Sequence, residues 1–201
     1  MMHNNKFPPN RFYQGFALFV YRLMGWKIEG NLPNIPKYII VVAHHTSNWD
    51  FVVGLMAKII LRLRLRFLGK HTLFKPPLGW LMRYWGGVPV KRDKSHNVVA
   101  QIVDFFDQHE ECVIALAPEG TRSPVSSWKM GFYHMAKGAD VPVVPIAFDF
   151  QARRLVISTP MTMADAEEQA LHDLHSFFIK HPPKRPENAW YGPFDKRTNQ
   201  S

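Results

Sequence analysis

Two histidines and an aspartate stand close together after an apolar run. His44 and His45 follow residues 37–43, and Asp50 stands five positions after His45. A carboxylate that holds one imidazole nitrogen leaves the other nitrogen to take a proton from a hydroxyl. On one continuous helix, five residues correspond to a rotation of about 140° away from a shared face. The sequence therefore predicts that His45, as a general base, lies in a loop, and that Asp50 lies in the first helical turn.

A metal site is the competing interpretation of the same residues. His44, His45 and Asp50 could act as ligands, with His71 or His134 completing the set. Against this, adjacent histidines at the end of a strand point to opposite faces. The chain also has no HExxH pair, and its single cysteine excludes a zinc ribbon. We predict no metal and no bound cofactor.

Further polar residues follow other predicted buried strands. Lys70 ends the segment "FLGK", and residues 118–123 read "PEGTRS" directly after the run 112–117. Ligand sites in open α/β sheets form beyond the ends of the strands. One site is therefore predicted to combine a histidine, two carboxylates and several cations.

The positive charge of the chain is unevenly distributed. The formal net charge is +9, and residues 58–94 contain ten Lys or Arg but only one acidic residue, Asp93. Such a segment favours nucleic acid, anionic lipid or a phosphorylated substrate, or it forms an ordinary solvated face. A non-catalytic basic protein that binds a membrane or nucleic acid stays an alternative. It leaves Asp50 and Glu119 unexplained, since carboxylates repel phosphate.

Alternating helical and strand patterns predict an α/β fold. We expect a mostly buried mixed sheet flanked by helices, with an N-terminal amphipathic helix. The predicted strands cover 37–43, 62–70, 112–117, 141–150 and 153–159. The predicted helices cover 11–24, 50–63, 78–84, 95–106, 128–137 and 163–180, with Ser95 and Thr162 as candidate caps. A turn is expected at Gly86 and Gly87.

The N-terminal helix combines large aromatic side chains with basic neighbours. Phe12, Phe16 and Phe19 recur at helical spacing, and such a helix either lies in a membrane interface or packs its stripe on the domain. No uncharged apolar run is long enough to span a bilayer, and no secretory leader is evident. The single cysteine favours a reducing compartment. We divide the chain into a membrane-contact segment (1–30), a catalytic domain (31–182) and an irregular tail (183–201).

Four blocks in order resemble glycerolipid acyltransferases, the group that contains the 1-acylglycerol-3-phosphate acyltransferases. Residues 45–50 fit the HxxxxD motif, and residues 118–123 fit the PEGTR block. The segment "GGVPVKRD" fits a block that ends in an arginine, here Arg92, and "VPVVPI" at 141–146 fits a proline-bearing block. The order and spacing of the four blocks make the resemblance far more specific than HxxxxD alone.

This resemblance implies transfer of a fatty acyl group from acyl-CoA or acyl-carrier protein to the hydroxyl of a lysophospholipid such as 1-acylglycerol-3-phosphate. It makes His45 the general base and Asp50 the residue that orients it. The residues that it assigns to the acyl acceptor are Lys70, Arg92, Glu119, Gly120, Thr121 and Arg122.

The implied partners are the thioester donor, the lysolipid acceptor and an anionic membrane surface, with acyl-carrier protein as a further candidate and no nucleic acid. The implied location is peripheral, on the cytoplasmic face of a membrane. His44 stands where many members have asparagine, and Lys91 stands where aspartate is common. Another lysolipid, such as a lyso-ornithine lipid, therefore stays open as the acceptor.

Overall fold

Strands and helices alternate along residues 10–90 and 95–192, the part of the chain that this computed structural model describes. The strands are β1 (Lys27–Glu29), β2 (Lys37–Ala43), β3 (Arg66–Lys70), β4 (Gly87–Val90), β5 (Cys112–Leu116), β6 (Val143–Asp149) and β7 (Arg154–Ile157). The helices are α1 (Arg11–Leu23), α2 (Asn48–Ile60), α3 (Gly79–Tyr84), α4 (Ser95–Gln108), α5 (Gly131–Gly138) and α6 (Glu167–Phe178). Short 3-10 turns lie at His71–Phe74 and Pro186–Asn188.

The strands form one mixed sheet in the order β1-β7-β6-β2-β5-β3-β4. The five strands from β6 to β4 run parallel to their neighbours, whereas β7 is antiparallel to β6 and parallel to β1. The carboxyl ends of β6, β2, β5 and β3 therefore meet at one edge of the sheet. This edge is where the polar residues of the predicted site begin.

Strand β2 is buried on both faces because helices cover both sides of the sheet. Ile39 and Val41 belong to a core shared with α4, α5 and α6. Tyr38 and Ile40 belong to a second core shared with α1 and α2. A strand buried on both faces needs apolar residues at consecutive positions, which explains the unbroken run 37–43.

The predicted α/β class with a mixed, helix-flanked sheet is confirmed, and β2 has the bounds expected from its sequence. The strand predicted over 62–70 is wrong in its first half. There, Arg62 adopts a φ of 57°, and the Leu63 N–H bonds the Lys58 carbonyl as a cap of α2. The chain becomes extended at Arg66.

Three further sequence predictions differ from the structure. The short strands β1 and β4 were not expected, and β4 begins at Gly87, where only a turn was predicted. The cap predicted at Thr162 is wrong because α6 begins at Glu167, after Ala166. Met161 instead pairs with Val143 in an isolated antiparallel bridge, which keeps this part of the chain extended.

Helix α1 packs on α2 through its small and polar side. Ala17 and Tyr21 are buried, and the Gln14 side-chain amide donates to the Ile60 carbonyl at 2.7 Å. The aromatic stripe faces outward, since Phe16 and Phe19 are 59% and 64% exposed. Packing of this stripe on the domain, one of the two interpretations of the sequence, is therefore wrong. Over the described residues, we find no helix with the length and apolarity needed to span a membrane.

Candidate active site

The loop between β2 and α2 brings His45 and Asp50 together. His45 Nδ1 lies 3.2 Å from Asp50 Oδ2, and the same oxygen accepts a hydrogen bond from the Ser47 N–H at 2.7 Å. The Ser47 hydroxyl accepts from the Trp49 N–H at 3.1 Å, which completes a capping box at the start of α2. A serine followed by an aspartate three positions later is the sequence pattern that specifies this cap. His45 thus lies in the loop and Asp50 in the first turn, as their spacing required.

The pair has a buried side and an accessible side. Asp50 is buried, whereas the His45 side chain is 22% exposed and lines a cavity. A buried carboxylate next to Nδ1 favours the tautomer with a proton on that nitrogen, which leaves Nε2 as an acceptor. The arrangement can therefore remove a proton from a hydroxyl that enters the cavity.

Glu119 connects the PEGTR block to this loop from within the protein. Its carboxyl group is buried, and Oε1 accepts a hydrogen bond from the His45 backbone N–H at 3.3 Å. His44 Nδ1 lies 3.6 Å from the same oxygen. Glu119 thereby holds the backbone of His45. Its contact with an acceptor stays a prediction.

The rest of the PEGTR block forms a tight turn after β5. Gly120 has a φ of +64°, which glycine adopts without strain, and its N–H donates to the Ala117 carbonyl at 3.1 Å. The Thr121 hydroxyl accepts from the Ser123 N–H at 3.3 Å. Arg122 Nε is buried and has no hydrogen-bond partner among residues 10–90 and 95–192. The turn therefore presents an arginine with an unused donor.

A cavity of about 1200 Å³ brings most of the predicted site residues together. It is lined by His45, Asp50, Lys70, Gly120, Thr121 and Arg122. Arg92, also predicted for the site, lies outside the described residues. The remaining lining is mainly apolar, with Leu55, Phe67 and Phe148 among its side chains. Such a cavity can hold an alkyl chain with its polar end beside His45.

One cation lies within the apolar part of the cavity lining. The Lys58 ammonium donates a hydrogen bond to the Trp85 carbonyl, and burial lowers the pKa of Lys58 to about 8. Sequence reasoning counted Lys58 as part of the basic segment and did not place it in the site. Helical spacing from Gly54 and Leu55 on α2, which also line the cavity, was the signal of its position.

His44 points away from His45 and into the core. Its ring packs against Trp128, Phe178 and Tyr191, with centroid separations of 5.9, 6.2 and 4.7 Å. The two histidines therefore have different surroundings, since His45 lines the cavity and His44 does not. Within the described ranges, no three His, Cys, Asp or Glu side chains are grouped as metal ligands.

Residues 182–191, which we call the strap, cross the carboxyl edge of the sheet. The Pro182 carbonyl accepts from the Phe150 N–H, just after β6, at 3.0 Å. The Arg185 N–H donates to the Thr46 hydroxyl, after β2, at 3.2 Å. The Asn188 side chain donates to the Arg122 carbonyl, after β5, at 3.1 Å. The strap therefore contacts three neighbouring loops in the order of their strands.

Aromatic residues hold the far end of the strap. The Trp190 ring lies 5.8 Å from Trp128 and 4.8 Å from His175, and the Tyr191 ring packs on His44. Sequence reasoning treated residues 183–201 as an irregular tail and missed this contact with the site. The pair Trp190 and Tyr191 was the one available signal, since adjacent large aromatics usually pack against something.

Comparison with known proteins decides the family. The sequence profile described as Acyltransferase matches residues 27–149, from β1 to the end of β6. The chain belongs to the Acyltransferase family. The match includes both the HxxxxD loop and the PEGTR turn, so the predicted family resemblance is confirmed. The strap lies beyond the matched residues of this acyltransferase.

Two curated relatives are both named 1-acyl-sn-glycerol-3-phosphate acyltransferases. The acyltransferase chain is 30% identical over 141 residues to a chloroplastic 1-acyl-sn-glycerol-3-phosphate acyltransferase of Brassica napus. It is 30% identical over 137 residues to a chloroplastic protein of the same name from Arabidopsis thaliana. Each alignment covers 65% of this chain, but only 39% and 37% of the respective relatives.

A solved structure shares the fold of this acyltransferase. The 1-acyl-sn-glycerophosphate acyltransferase PlsC from Thermotoga maritima superposes with a TM-score of 0.62 and 20% sequence identity. The match covers 85% of this chain and 76% of that one. It therefore extends beyond the segment that the family profile matches.

Proposed function

We propose that this chain transfers a fatty acyl group from a thioester to the hydroxyl of a lysophospholipid such as 1-acylglycerol-3-phosphate. The observation that carries the proposal is the 3.2 Å contact between His45 Nδ1 and Asp50 Oδ2 at an apolar cavity that also contains Arg122. The names of the two curated relatives support the same acceptor.

The chemistry needs no nucleophile from the protein. His45 Nε2 takes the proton of the acceptor hydroxyl while the hydroxyl oxygen attacks the thioester carbonyl. The tetrahedral intermediate collapses with loss of the thiolate, which takes the proton from the imidazolium. Asp50 stabilises the imidazolium and keeps its ring oriented. General-base assistance of this kind contributes roughly 10²- to 10⁴-fold to the rate.

The acceptor phosphate is bound by cations at the same edge of the sheet. Lys70 ends β3 and Arg122 follows β5, and both line the cavity. Arg122 Nε is buried and has no hydrogen-bond partner in the described part of the chain, which suits a donor kept for a bound anion. Guanidinium and ammonium groups form strong, charge-assisted hydrogen bonds with phosphate. Another anionic lysolipid would use the same cations, so the acceptor panel below includes one.

The outward face of α1 supports peripheral binding to an anionic membrane, on its cytoplasmic face. Phe12, Phe16, Phe19 and Leu23 are all more than half exposed, and Arg22 in the last turn adds a positive charge. Aromatic and leucine side chains on one helix face enter the headgroup region while basic residues contact anionic lipid. Such binding would place the cavity near both acyl substrates.

A thiol-release assay tests the proposed function. Purified protein is incubated with palmitoyl-CoA and a panel of acceptors that includes 1-acylglycerol-3-phosphate and a lyso-ornithine lipid. His45→Ala is compared with His172→Ala, a histidine on the exposed side of α6. We expect thiol release with 1-acylglycerol-3-phosphate from wild type and His172→Ala, and its loss in His45→Ala. Equal turnover by His45→Ala would refute the mechanism.

A further inference from the structure

The strap carries two adjacent cations, Lys184 and Arg185, beside the HxxxxD loop. Lys184 Nζ lies 4.7 Å from the centre of the Trp49 ring and 5.8 Å from that of Phe150. The backbone N–H of Arg185 is bonded to Thr46, the residue that follows His45. The Lys184 ammonium is thus held near two aromatic rings, and the backbone of Arg185 is held beside the residue that follows His45.

These contacts hold the charges without neutralising them. Cation–π contact positions an ammonium group over a ring but leaves its positive charge uncompensated. Both residues are exposed, and within residues 10–90 and 95–192 neither has a carboxylate oxygen within 4.0 Å. An exposed pair of uncompensated cations on an anchored segment is suited to binding an anion.

The position of the pair separates it from the cations assigned to the acceptor. Lys70 and Arg122 follow β3 and β5, on one side of β2 in the sheet. Lys184 lies on the other side of β2, where it contacts the residue that follows β6. His45 follows β2 and lies between the two groups of cations. A reaction that joins two substrates at His45 therefore has a separate basic region on each side.

We propose that Lys184 and Arg185 bind the phosphate of the acyl donor, a thioester of phosphopantetheine. This inference rests on the proposed acyl transfer. In this arrangement the acceptor phosphate lies on the Arg122 side of His45, and an acyl chain lies in the apolar cavity. The pantetheine arm then extends from the thioester beside His45 over the strap. Acyl-CoA and acyl-carrier protein share the phosphate at the end of that arm, so the proposal applies to both.

The kinetic test is the double variant Lys184→Gln/Arg185→Gln. The matched control is Lys180→Gln, an exposed lysine at the end of α6. Loss of charged hydrogen bonds to phosphate is expected to raise the KM for palmitoyl-CoA about tenfold in the double variant. The KM for the acceptor is expected to stay near that of wild type, and Lys180→Gln to behave as wild type. A rise in the acceptor KM instead would overturn the proposal.

A phosphate-free donor sharpens the test. Palmitoyl-N-acetylcysteamine has the same thioester but no phosphate, so the double variant and wild type should use it equally well. An equal loss with this donor would show that the strap had merely been disturbed, and would overturn the proposal. A loss with palmitoyl-CoA and with palmitoyl-carrier protein assigns the pantetheine phosphate. A loss with palmitoyl-CoA alone would assign the pair to the nucleotide phosphates of CoA, and would overturn the assignment to the phosphate that both donors share.

Direct binding of CoA separates this inference from the proposed function. CoA should quench the fluorescence of Trp49, measured against Trp49→Phe, and bind wild type more tightly than the double variant. CoA binding without acyl transfer to any acceptor would refute the proposed function while supporting the site. Acyl transfer with equal CoA affinity in both proteins would refute the site alone. A matching loss of binding to phosphatidylglycerol vesicles, with CoA affinity intact, would assign the pair to lipid instead.

Discussion

Glu119 Oε1 accepts a hydrogen bond from the backbone N–H of His45 at 3.3 Å, and this contact joins the PEGTR block to the HxxxxD loop. Glu119→Ala would leave that part-buried N–H without a partner. A lost partner of this kind costs about 1–3 kcal/mol. We expect the free energy of unfolding in urea to fall by this amount, and thiol release to fall with it. Glu119→Gln, which keeps an oxygen acceptor, should lose less stability. Wild-type stability in Glu119→Ala with a raised acceptor KM would mean that Glu119 contacts the acceptor directly.

Asp50→Asn should separate the orientation of His45 from the structure of the loop. The amide oxygen can still accept from the Ser47 N–H and lie against His45 Nδ1, but the neutral amide lacks the negative charge that stabilises the imidazolium. We expect kcat/KM to fall roughly 10²- to 10⁴-fold. Thermal unfolding should show that the variant remains folded. Full activity in folded Asp50→Asn would exclude the proposed role.

His175 should make the fold sensitive to acid. It is buried against Trp128, faces His44 and has His172 on the same helix, and burial lowers the pKa of His175 to about 4. Between pH 6.5 and pH 4, the unfolded chain binds a proton at this position that the folded chain does not. Stability is therefore lost as the pH falls through this window, by up to about 3 kcal/mol.

The variant His175→Phe tests this pH dependence. Phenylalanine keeps the ring contact with Trp128 but does not titrate. Urea unfolding at pH 7 and at pH 4.5 should show a smaller loss of stability in the variant than in wild type. His71→Phe, at an exposed position after β3, serves as the control and should keep the wild-type dependence. The same pH dependence in His175→Phe would assign the acid sensitivity to other groups.

Leu55 lines the cavity, so enlarging its side chain should restrict the acyl chain. In Leu55→Trp, we expect activity with palmitoyl-CoA to fall about tenfold or more, because an overfilled apolar site costs about 1–3 kcal/mol. Activity with hexanoyl-CoA should fall less. Ile179→Trp, at an exposed position after α6, is the control. Equal losses with both donors would place the acyl chain elsewhere.

The exposed aromatic residues of α1 should control membrane binding. Phe16→Ser/Phe19→Ser removes two large apolar side chains, each of which contributes about 1.5–3 kcal/mol when fully transferred from water. We expect binding to phosphatidylglycerol vesicles in a sedimentation assay to fall by about tenfold or more. Ile179→Ser, at an exposed apolar residue just after α6, should have little effect. Unchanged vesicle binding by the double variant would show that another surface contacts the membrane.

The central strands and the contact between His45 and Asp50 could be predicted because each is specified by a short stretch of sequence. Residues 37–43 form a continuous apolar run, and a serine and an aspartate three positions apart specify the start of α2. The positions of β1 and β4 were not predictable in this way. Each has three or four residues, and β1 exists only through pairing with β7, from Lys27 to Arg154. That pairing depends on the whole fold rather than on the composition of the segment.

The residues that line the cavity were more predictable than the contacts that Glu119 and the strap make behind them. Six of the predicted residues do line one cavity, because strand ends meet at one edge of the sheet. The inward turn of Glu119 depends on the exact path of two loops, which no spacing rule specifies. The strap escaped prediction for the same reason. Its bonds to Thr46 and Arg122 span 139 and 66 residues of sequence.

Two hydrogen bonds join the strap to the loops after β2 and β5, and each uses the backbone of an arginine rather than its side chain. At Arg122 the strap bonds the backbone carbonyl, and at Arg185 it is the backbone N–H that donates. Residues 122 and 185 can therefore be replaced without removing either bond, provided that proline, which lacks an N–H, is excluded at position 185. A library that randomises both positions would keep the frame around His45 and vary the charge on its two sides independently. Selectivity for acceptor and donor should consequently be open to separate laboratory evolution.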